Sequence, residues 1–221
     1  MPLLKHVLDQ YDPDVVAFQE VRVRAASAQD DDRFMIDDLR AMLPDMQYVY
    51  EPAMMFADGD DIGIVRVREG LSTFSRYPID SVSVTRLSRD LNDPNDLHQG
   101  LLLDVGVVTP GGVVHALNTH LSLSEPAQAR TMAEINAIAE AHRERGDCVV
   151  LAGDFNSITA DQFFPTMEDV WAVTHEAPGS VKGFTYSAWN PTIRIDFIFV
   201  SEGIVANDAI MLPHQELTCV L

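Results

Sequence analysis

Three stretches of the chain repeat apolar residues at the helical spacing of three and four. Residues 2–13 form an amphipathic pattern that ends at Pro13, and residues 33–43 repeat it before a further proline. The longest stretch, residues 125–145, has a proline in its first turn and a glycine just after its end. That asymmetry is typical of helix ends, so the pattern predicts three helices.

Shorter apolar runs predict buried strands, because they are too short for core helices. The predicted strands are residues 14–21, 46–52, 70–80, 81–87, 147–155 and 193–201, with a break at Tyr77-Pro78, and a β-hairpin of residues 100–108 and 113–121 around Thr109-Pro110-Gly111-Gly112. Residues 53–69, of mixed polarity, and residues 87–99, crowded with Asn, Asp and Pro, predict loops.

The order of these elements predicts the fold class. Helices alternate with strands, yet several strands follow one another directly, which favours an α/β fold with two layered sheets over a purely parallel wound sheet. The chain contains no internal repeat, linker or low-complexity tract. We therefore expect one domain over residues 1–221.

Composition and charge narrow the class of protein. With 221 residues, 47% hydrophobic and 22% charged, the chain is long enough for one well-buried core, which excludes disorder, coiled coil and collagen. It carries 34 acidic residues against 15 basic ones, for a formal charge of -19. Such a surface repels phosphate backbones, so non-specific nucleic-acid binding is disfavoured, although an acidic nuclease stays open.

The two cysteines and the length of the apolar runs indicate the cellular compartment in which the protein is expected. Cys148 and Cys219 lie inside apolar runs, which favours buried, reduced thiols and excludes a disulfide framework or a cysteine-based zinc site. The apolar runs are shorter than a membrane span, and the first residues lack the cationic and apolar regions of a signal peptide. We expect no transmembrane segment and favour the cytoplasm, while a lost N-terminal signal and the oligomeric state stay open.

Polar residues lie where apolar strands end, and a ligand can approach there. They are Gln19-Glu20, Asn118, His120, Asp154, Asn156 and Asp196. Asp154 and Asn156 are two apart, so in an extended segment both face one side while Phe155 points into the core. Asn118 and His120 are also two apart, so they too face one side of a strand. A carboxylate such as Glu20 suits Mg²⁺, which takes one or two carboxylates and fills its other positions with water and phosphate oxygens.

Five motifs in this order resemble one known family. VVAFQEV, FSRYPI, NTHLS, LAGDFNS and RIDFIFVS occur with the order and similar spacing of the endonuclease/exonuclease/phosphatase superfamily, from about residue 3 to residue 221. The five together are a specific signal, whereas NTHL or SRYPI alone is weak. The resemblance implies a four-layer α/β sandwich of two mixed, mainly antiparallel β-sheets flanked by helices.

The resemblance also implies metal-dependent hydrolysis of phosphate esters by in-line attack of water. Within the family pattern Glu20 would bind Mg²⁺ or Mn²⁺, and Asp154 would orient and deprotonate the attacking water. Asn156 and His120 would hydrogen-bond the scissile phosphate, and Asp196 would orient a catalytic histidine. Such a transition state gathers negative charge on oxygen atoms, so a dication and hydrogen-bond donors must lie close to it.

The chain departs from the family pattern at both ends. The family begins with a strand carrying a metal-site Asn and ends with Ser-Asp-His, whereas this chain starts at the following helix and stops at ELTCVL. We therefore expect a domain clipped at both ends, with little activity as it stands. His214 lies upstream of the final motif and is not expected to replace its histidine. The alternative function is an inactive or truncated homologue that acts as a binding or scaffold domain.

Substrate and several residues stay open at this point. Substrates in the superfamily include DNA, RNA, sphingomyelin, inositol phosphates and nucleotide cofactors, and the charge favours a phosphodiester in a small molecule or lipid headgroup over duplex DNA. Asp154 and Asn156 alternatively cap a turn, and His120 is alternatively a buried core histidine. Asn118 is evenly balanced between site and structure. Further candidates are His98 for the pocket wall and Arg22, Arg24, Arg66 and Arg68 for a basic rim, against an ordinary solvated face.

Overall fold

The computed structural model describes residues 2–24, 35–60, 63–169, 183–187 and 190–209. These residues form three α-helices, one short 3-10 helix and nine strands. The helices are α1 (Pro2–Tyr11), α2 (Met35–Met42) and α3 (Glu125–Glu144), with the 3-10 turn at Ala160–Phe163; the strands are β1 (Val15–Arg24), β2 (Gln47–Asp60), β3 (Gly63–Ser75), β4 (Ile79–Arg86), β5 (Leu101–Thr109), β6 (Gly112–His120), β7 (Cys148–Asp154), β8 (Met167–Asp169) and β9 (Asp196–Ser201).

The smaller sheet has three strands in the order β1-β3-β2, and both pairs are antiparallel. Helices α1 and α2 cover one face of it. Leu8 of α1 and Leu39 of α2 pack with Phe74 of β3 in a buried apolar cluster. The amphipathic stripes that predict these helices are therefore the surfaces that bury this face.

The larger sheet has six strands in the order β4-β5-β6-β7-β9-β8, in which β6 and β7 run parallel and the other neighbours are antiparallel. Helix α3 packs on one face. Four buried phenylalanines there meet in edge-to-face, tilted or stacked pairs, with ring centroids 4.9–5.8 Å apart. They are Phe155, Phe164, Phe197 and Phe199.

The two sheets face each other through a third apolar cluster. Leu71 of the smaller sheet packs there with Leu101, Leu103 and Val105 of the larger one. The molecule therefore has four layers in the order helix, sheet, sheet, helix. The four-layer α/β sandwich is confirmed, and one sheet is mixed while the other is wholly antiparallel.

Most of the predicted elements are confirmed in type. The three helices, the β5–β6 hairpin and the loop at residues 87–99 lie where the pattern puts them, and the 3-10 turn and β8 are additions. Helix α3 begins after Ser124, whose hydroxyl accepts a hydrogen bond from the Ala127 amide at 3.3 Å. It is followed by Gly146, whose φ of 82° is in the left-handed region that glycine tolerates.

The loop predicted at residues 53–69 is wrong. Strand β2 continues to Asp60 and β3 begins at Gly63, and the two pair antiparallel from Met54 opposite Glu69 to Asp60 opposite Gly63. Pairing satisfies the backbone of a polar segment, so mixed polarity here does not produce a loop. The alternating Val65-Arg66-Val67-Arg68 carries the strand signal.

Cys148 is a free thiol at the start of β7, while Cys219 and His214 lie outside the described residues. Among the helices of the described ranges, none is long and apolar enough to cross a membrane.

Candidate functional site

A β-bulge in β1 sets the direction of Glu20. Phe18 pairs with Ser72 and Val21 with Gly70, so β1 has one more residue than β3 across this interval. Glu20 adopts a φ of 53°, in the left-handed region that costs a non-glycine residue about 1–2 kcal/mol. Its side chain is 58% exposed. The backbone therefore accepts strain to turn a carboxylate out of the strand.

The bulge is tied to the larger sheet by Asn118. The Asn118 side chain accepts a hydrogen bond from Nε2 of Gln19 at 2.8 Å and donates to the carbonyls of Phe18 at 3.2 Å and Ser72 at 3.1 Å. Asn118 is only 1% exposed. These hydrogen bonds connect the two sheets next to the bulge that contains Glu20.

His120 and Asp154 lie together because β6 and β7 are parallel and in register. The two residues are direct partners at the ends of these strands. Nε2 of His120 lies 3.7 Å from Oδ2 of Asp154, and each side chain is about one quarter exposed. Both face the gap between the sheets, on the same side as Asn118.

Asn156 reaches the same place by a tight turn. It follows the strand with a φ of 51°, and its backbone amide donates to Oδ1 of Asp154 at 2.8 Å. Its side-chain Nδ2 lies 3.2 Å from Nε2 of His120 and donates to the Leu121 carbonyl at 2.8 Å. Phe155 between them is fully buried. The predicted grouping holds, although Asn156 is not extended.

Asp196 lies behind this group, at the start of β9. It is the direct partner of Asp154 across β7 and β9. Its backbone amide, and that of Ile195, donate to the hydroxyl of Thr185 at 3.2 and 3.1 Å. Asp196 is not among the residues that line the cleft described next.

A cleft of about 470 Å³ opens where the two sheets meet the surface. Glu20, His120, Asp154 and Asn156 all line it, so four of the five predicted site residues share one cavity. Its remaining lining residues are Arg22, Ala53, Met54, Glu69, Gly70, Leu71, His98, Gln99, Leu101, Leu121, Leu123, Tyr186, Ile193 and Ile195.

Glu69 lines the cleft, which the sequence did not reveal. It is buried and accepts a hydrogen bond from Nε of Arg22 at 2.5 Å. Glu69 lies in the segment that was wrongly predicted as a loop. The alternation of apolar and polar residues just before it could have predicted the strand. Of the arginines suggested for a basic rim, Arg22 alone lines the cleft, and it faces Glu20 at 3.8 Å as well.

The cleft concentrates negative charge. Burial, and next the charge of Asp196, raise the pKa of Asp154 above its ordinary value, with a smaller contribution from Glu20 and opposition from His120. Burial likewise raises the pKa of Asp196, against a hydrogen bond from Thr185. Among the lining residues that the structure describes, three carboxylates, Glu20, Glu69 and Asp154, face one arginine. This excess of carboxylate oxygens suits a divalent cation.

This fold and cleft define the class of protein. Residues 3–216 match the sequence profile of the Endonuclease/Exonuclease/phosphatase family. The chain belongs to that family. Comparison with curated proteins gave no match.

Solved structures share the fold at low sequence identity. An endonuclease/exonuclease/phosphatase from Beutenbergia cavernae is 21% identical with a TM-score of 0.67, and the comparison covers 91% of this chain and 58% of that one. A mannosyl-6-phosphatase from Bacteroides thetaiotaomicron is 20% identical with a TM-score of 0.63, covering 91% and 76%. The human Nocturnin catalytic domain with bound sulfate is 14% identical with a TM-score of 0.61, covering 91% and 74%.

Proposed function

We propose that the protein is a divalent-metal-dependent phosphoesterase whose active site is the cleft around Asp154. The observation that carries the proposal is the convergence of a carboxylate, an imidazole and an amide, with Nε2 of His120 3.7 Å from Asp154 and 3.2 Å from Asn156. Family membership supports hydrolysis of phosphoesters. A scaffold domain has no need to gather these residues in one cavity.

Glu20 would hold the cation, as Mg²⁺ or Mn²⁺. Its carboxylate is exposed at the cleft and its backbone is strained, which is characteristic of functional positions. A bound dication supplies charge stabilisation for the phosphate oxygens. The excess of lining carboxylates provides the negative potential that attracts it.

Asp154 is the proposed general base. Its raised pKa makes it a better proton acceptor than an ordinary carboxylate, and Oδ1 is held by the Asn156 amide. Oδ2 faces His120. Asp154 would take the proton of the attacking water, while the negative charge of Asp196 behind it raises its proton affinity.

Asn156 and His120 are the proposed phosphate ligands. Nδ2 of Asn156 has two hydrogens; the Leu121 carbonyl accepts one, and the other faces Nε2 of His120 at 3.2 Å, so a phosphate oxygen would bind beside this pair. Nε2 of His120 borders the same point. The role proposed for Asp196 is to orient a catalytic histidine. Among the described residues, the histidine whose charge affects the pKa of Asp196 is His120.

The proposed substrate class rests on the net charge of the protein and on the residues that line the cleft. The net charge of -19 and the presence of a single arginine among the described residues that line the cleft disfavour a long nucleic-acid duplex. Met54, Leu123 and Tyr186 add apolar surface beside the polar group. We propose a small or lipid-headgroup phosphodiester rather than duplex DNA.

The test is hydrolysis of bis-p-nitrophenyl phosphate, sphingomyelin and a single-stranded oligonucleotide, with Mg²⁺ or Mn²⁺ and with chelator. Asp154→Asn and His120→Gln are each expected to lower turnover by about 10²- to 10³-fold or more. The exposed Asp161→Asn and His6→Gln are the matched controls and keep full turnover. Turnover that survives Asp154→Asn contradicts the proposal, and phosphate binding without turnover supports the scaffold instead.

A further inference from the structure

A second polar cluster lies on the opposite face of the six-stranded sheet. Asp104 of β5 and His115 of β6 point towards helix α3, where they meet His142 near the helix end. His115 is five residues before His120 on one strand, so the cluster is roughly 16 Å from the cleft along the sheet. Because five is an odd number, the side chains of His115 and His120 lie on opposite faces of the sheet.

The cluster brings three donor groups together. The two oxygens of Asp104 lie 2.8 Å from Nδ1 of His115 and 2.8 Å from Nε2 of His142. One ligand atom from each of the three residues lies within 4.8 Å of the other two. Asp104 is 8% exposed and His142 6% exposed. Buried ionisable groups of this kind need a compensating partner.

A second carboxylate stands behind the two rings. The imidazoles of His115 and His142 overlap with centroids 3.8 Å apart. Oδ2 of Asp147 lies 3.3 Å from Nδ1 of His142 and 3.9 Å from Nε2 of His115. Each ring therefore directs one nitrogen at Asp104 and the other at Asp147, while Arg145 contacts Asp147 at 3.1 Å and Nδ1 of His142 at 2.6 Å.

The ring protons of this network can be counted. Nδ1 of His115 and Nε2 of His142 each face one oxygen of Asp104, which uses the two N–H groups of two neutral imidazoles. Arg145 donates to Nδ1 of His142, and Nε2 of His115 is 3.9 Å from Asp147, too far for a hydrogen bond. A metal ion beside Asp104 would take the place of these two N–H groups, because the same ring nitrogens would offer lone pairs to the ion and Nδ1 of His142 would donate to Asp147.

We propose that Asp104, His115 and His142 form a zinc-type metal site, with Asp147, 3.3 Å from Nδ1 of His142, orienting that histidine. Two imidazoles and a carboxylate are a common Zn²⁺ donor set, and a histidine bound to a metal usually donates its other N–H to a carboxylate. Tetrahedral zinc separates its ligand atoms by roughly 3.4 Å, so small side-chain movements suffice. The site joins the last turn of α3 to the sheet, which gives it a structural role separate from the cleft.

The first experiment uses the unmutated protein in excess Mg²⁺, which occupies carboxylate sites but competes poorly for imidazole nitrogen. Co²⁺ titration is expected to give the visible absorption of a four-coordinate ion, and Zn²⁺ is expected to abolish it. Crystals soaked in Zn²⁺ are expected to show an anomalous peak at the zinc edge between the three side chains. A peak in the cleft alone, or none, overturns the proposal whether or not any variant folds.

Variants then separate the two sites. His142→Gln and Asp104→Asn are expected to abolish the Co²⁺ absorption, and Asp147→Asn to weaken metal binding by about 10- to 100-fold. The exposed His6→Gln is the matched control and retains it. Retention in His142→Gln, with loss in His120→Gln, would assign the metal to the cleft and contradict the proposal. Circular dichroism verifies that each variant is folded.

Discussion

At the scale of single residues, the site depends on one buried amide. Asn118 of β6 is 1% exposed and bonds to Gln19 and Phe18 of β1 and to Ser72 of β3, so it joins the larger sheet to two strands of the smaller one. Its neighbour in sequence, Thr119, is also buried but donates within its own sheet, to the Leu101 carbonyl. Asn118 thus bonds to the other sheet and Thr119 to its own sheet, because successive side chains face opposite sides of a strand.

Asn118→Ala is expected to lower the free energy of unfolding by about 3 kcal/mol, because it leaves buried groups without partners. Urea denaturation measures the change. Asn92→Ala, at an exposed loop position, is the matched control and should shift stability by less than about 0.5 kcal/mol. A loss for Asn118→Ala no larger than for the control would show that water replaces the amide.

The raised pKa of Asp154 predicts a trade between activity and stability. Burial and the charge of Asp196 raise this pKa, so the folded state holds the proton more tightly than the unfolded chain does. The resulting stability is present below the unfolded pKa and is lost as pH rises through the folded pKa. At neutral pH the charged carboxylate therefore destabilises the fold.

Asp154→Asn is expected to raise the melting temperature at neutral pH in the presence of chelator, and the gain should shrink towards zero as pH falls into the acidic range. Differential scanning calorimetry across pH measures it. The exposed Asp161→Asn should change the melting temperature little at any pH. A lower melting temperature for Asp154→Asn at neutral pH would contradict the expected effect of burial.

At the scale of elements, the bulge in β1 is the decisive irregularity. Val16 and Phe18 before it and Val23 after it pack on the helices, although the odd spacing from Phe18 to Val23 would place them on opposite faces of a regular strand. The extra residue restores the alternation and leaves Glu20 outside it. The extra residue thus keeps the apolar side chains of β1 in the core and also places Glu20 at the cleft.

Glu20→Gly is expected to stabilise the protein by about 1 kcal/mol, because glycine adopts a positive φ without strain, and to abolish metal-dependent hydrolysis. Glu20→Gln, which keeps the strain, should lose hydrolysis without the gain in stability. Glu51→Gly, in the regular part of β2, is the control and should lose about 0.5–1 kcal/mol. Destabilisation by Glu20→Gly would mean that the bulge is not strained.

At the scale of the whole molecule, charge opposes compaction. With 34 acidic and 15 basic residues, repulsion between like charges outweighs attraction over the surface. Raising NaCl from low to moderate concentration should screen that repulsion and increase stability by ~1 kcal/mol, or about 2–4 °C in melting temperature. An uncharged osmolyte at equal osmolality separates screening from solvent effects. A melting temperature that falls with added NaCl would show that local ion pairs dominate.

The sequence by itself determined the element types that rest on local periodicity. Helix α3 has a proline at its start, a glycine after its end and a 20-residue span, and the β5–β6 hairpin carries its turn residues, so both follow from neighbours in the chain. The strand-end positions of His120 and Asp154 were also visible. Their meeting required the parallel pairing of β6 with β7, for which the resemblance to a known family supplied the expectation.

Only the tertiary structure decided the rest, because it depends on partners distant in sequence. Strands β2 and β3 extend through a polar segment since each is the other's hydrogen-bonding partner, and this pairing buries Glu69 beside Arg22. Local patterns cannot show which side chains a pairing buries. The bulge at Glu20 likewise appears only when β1 is aligned with β3. The sequence thus determined which polar residues lie at strand ends, and the packing of two sheets decided which of them share a cleft.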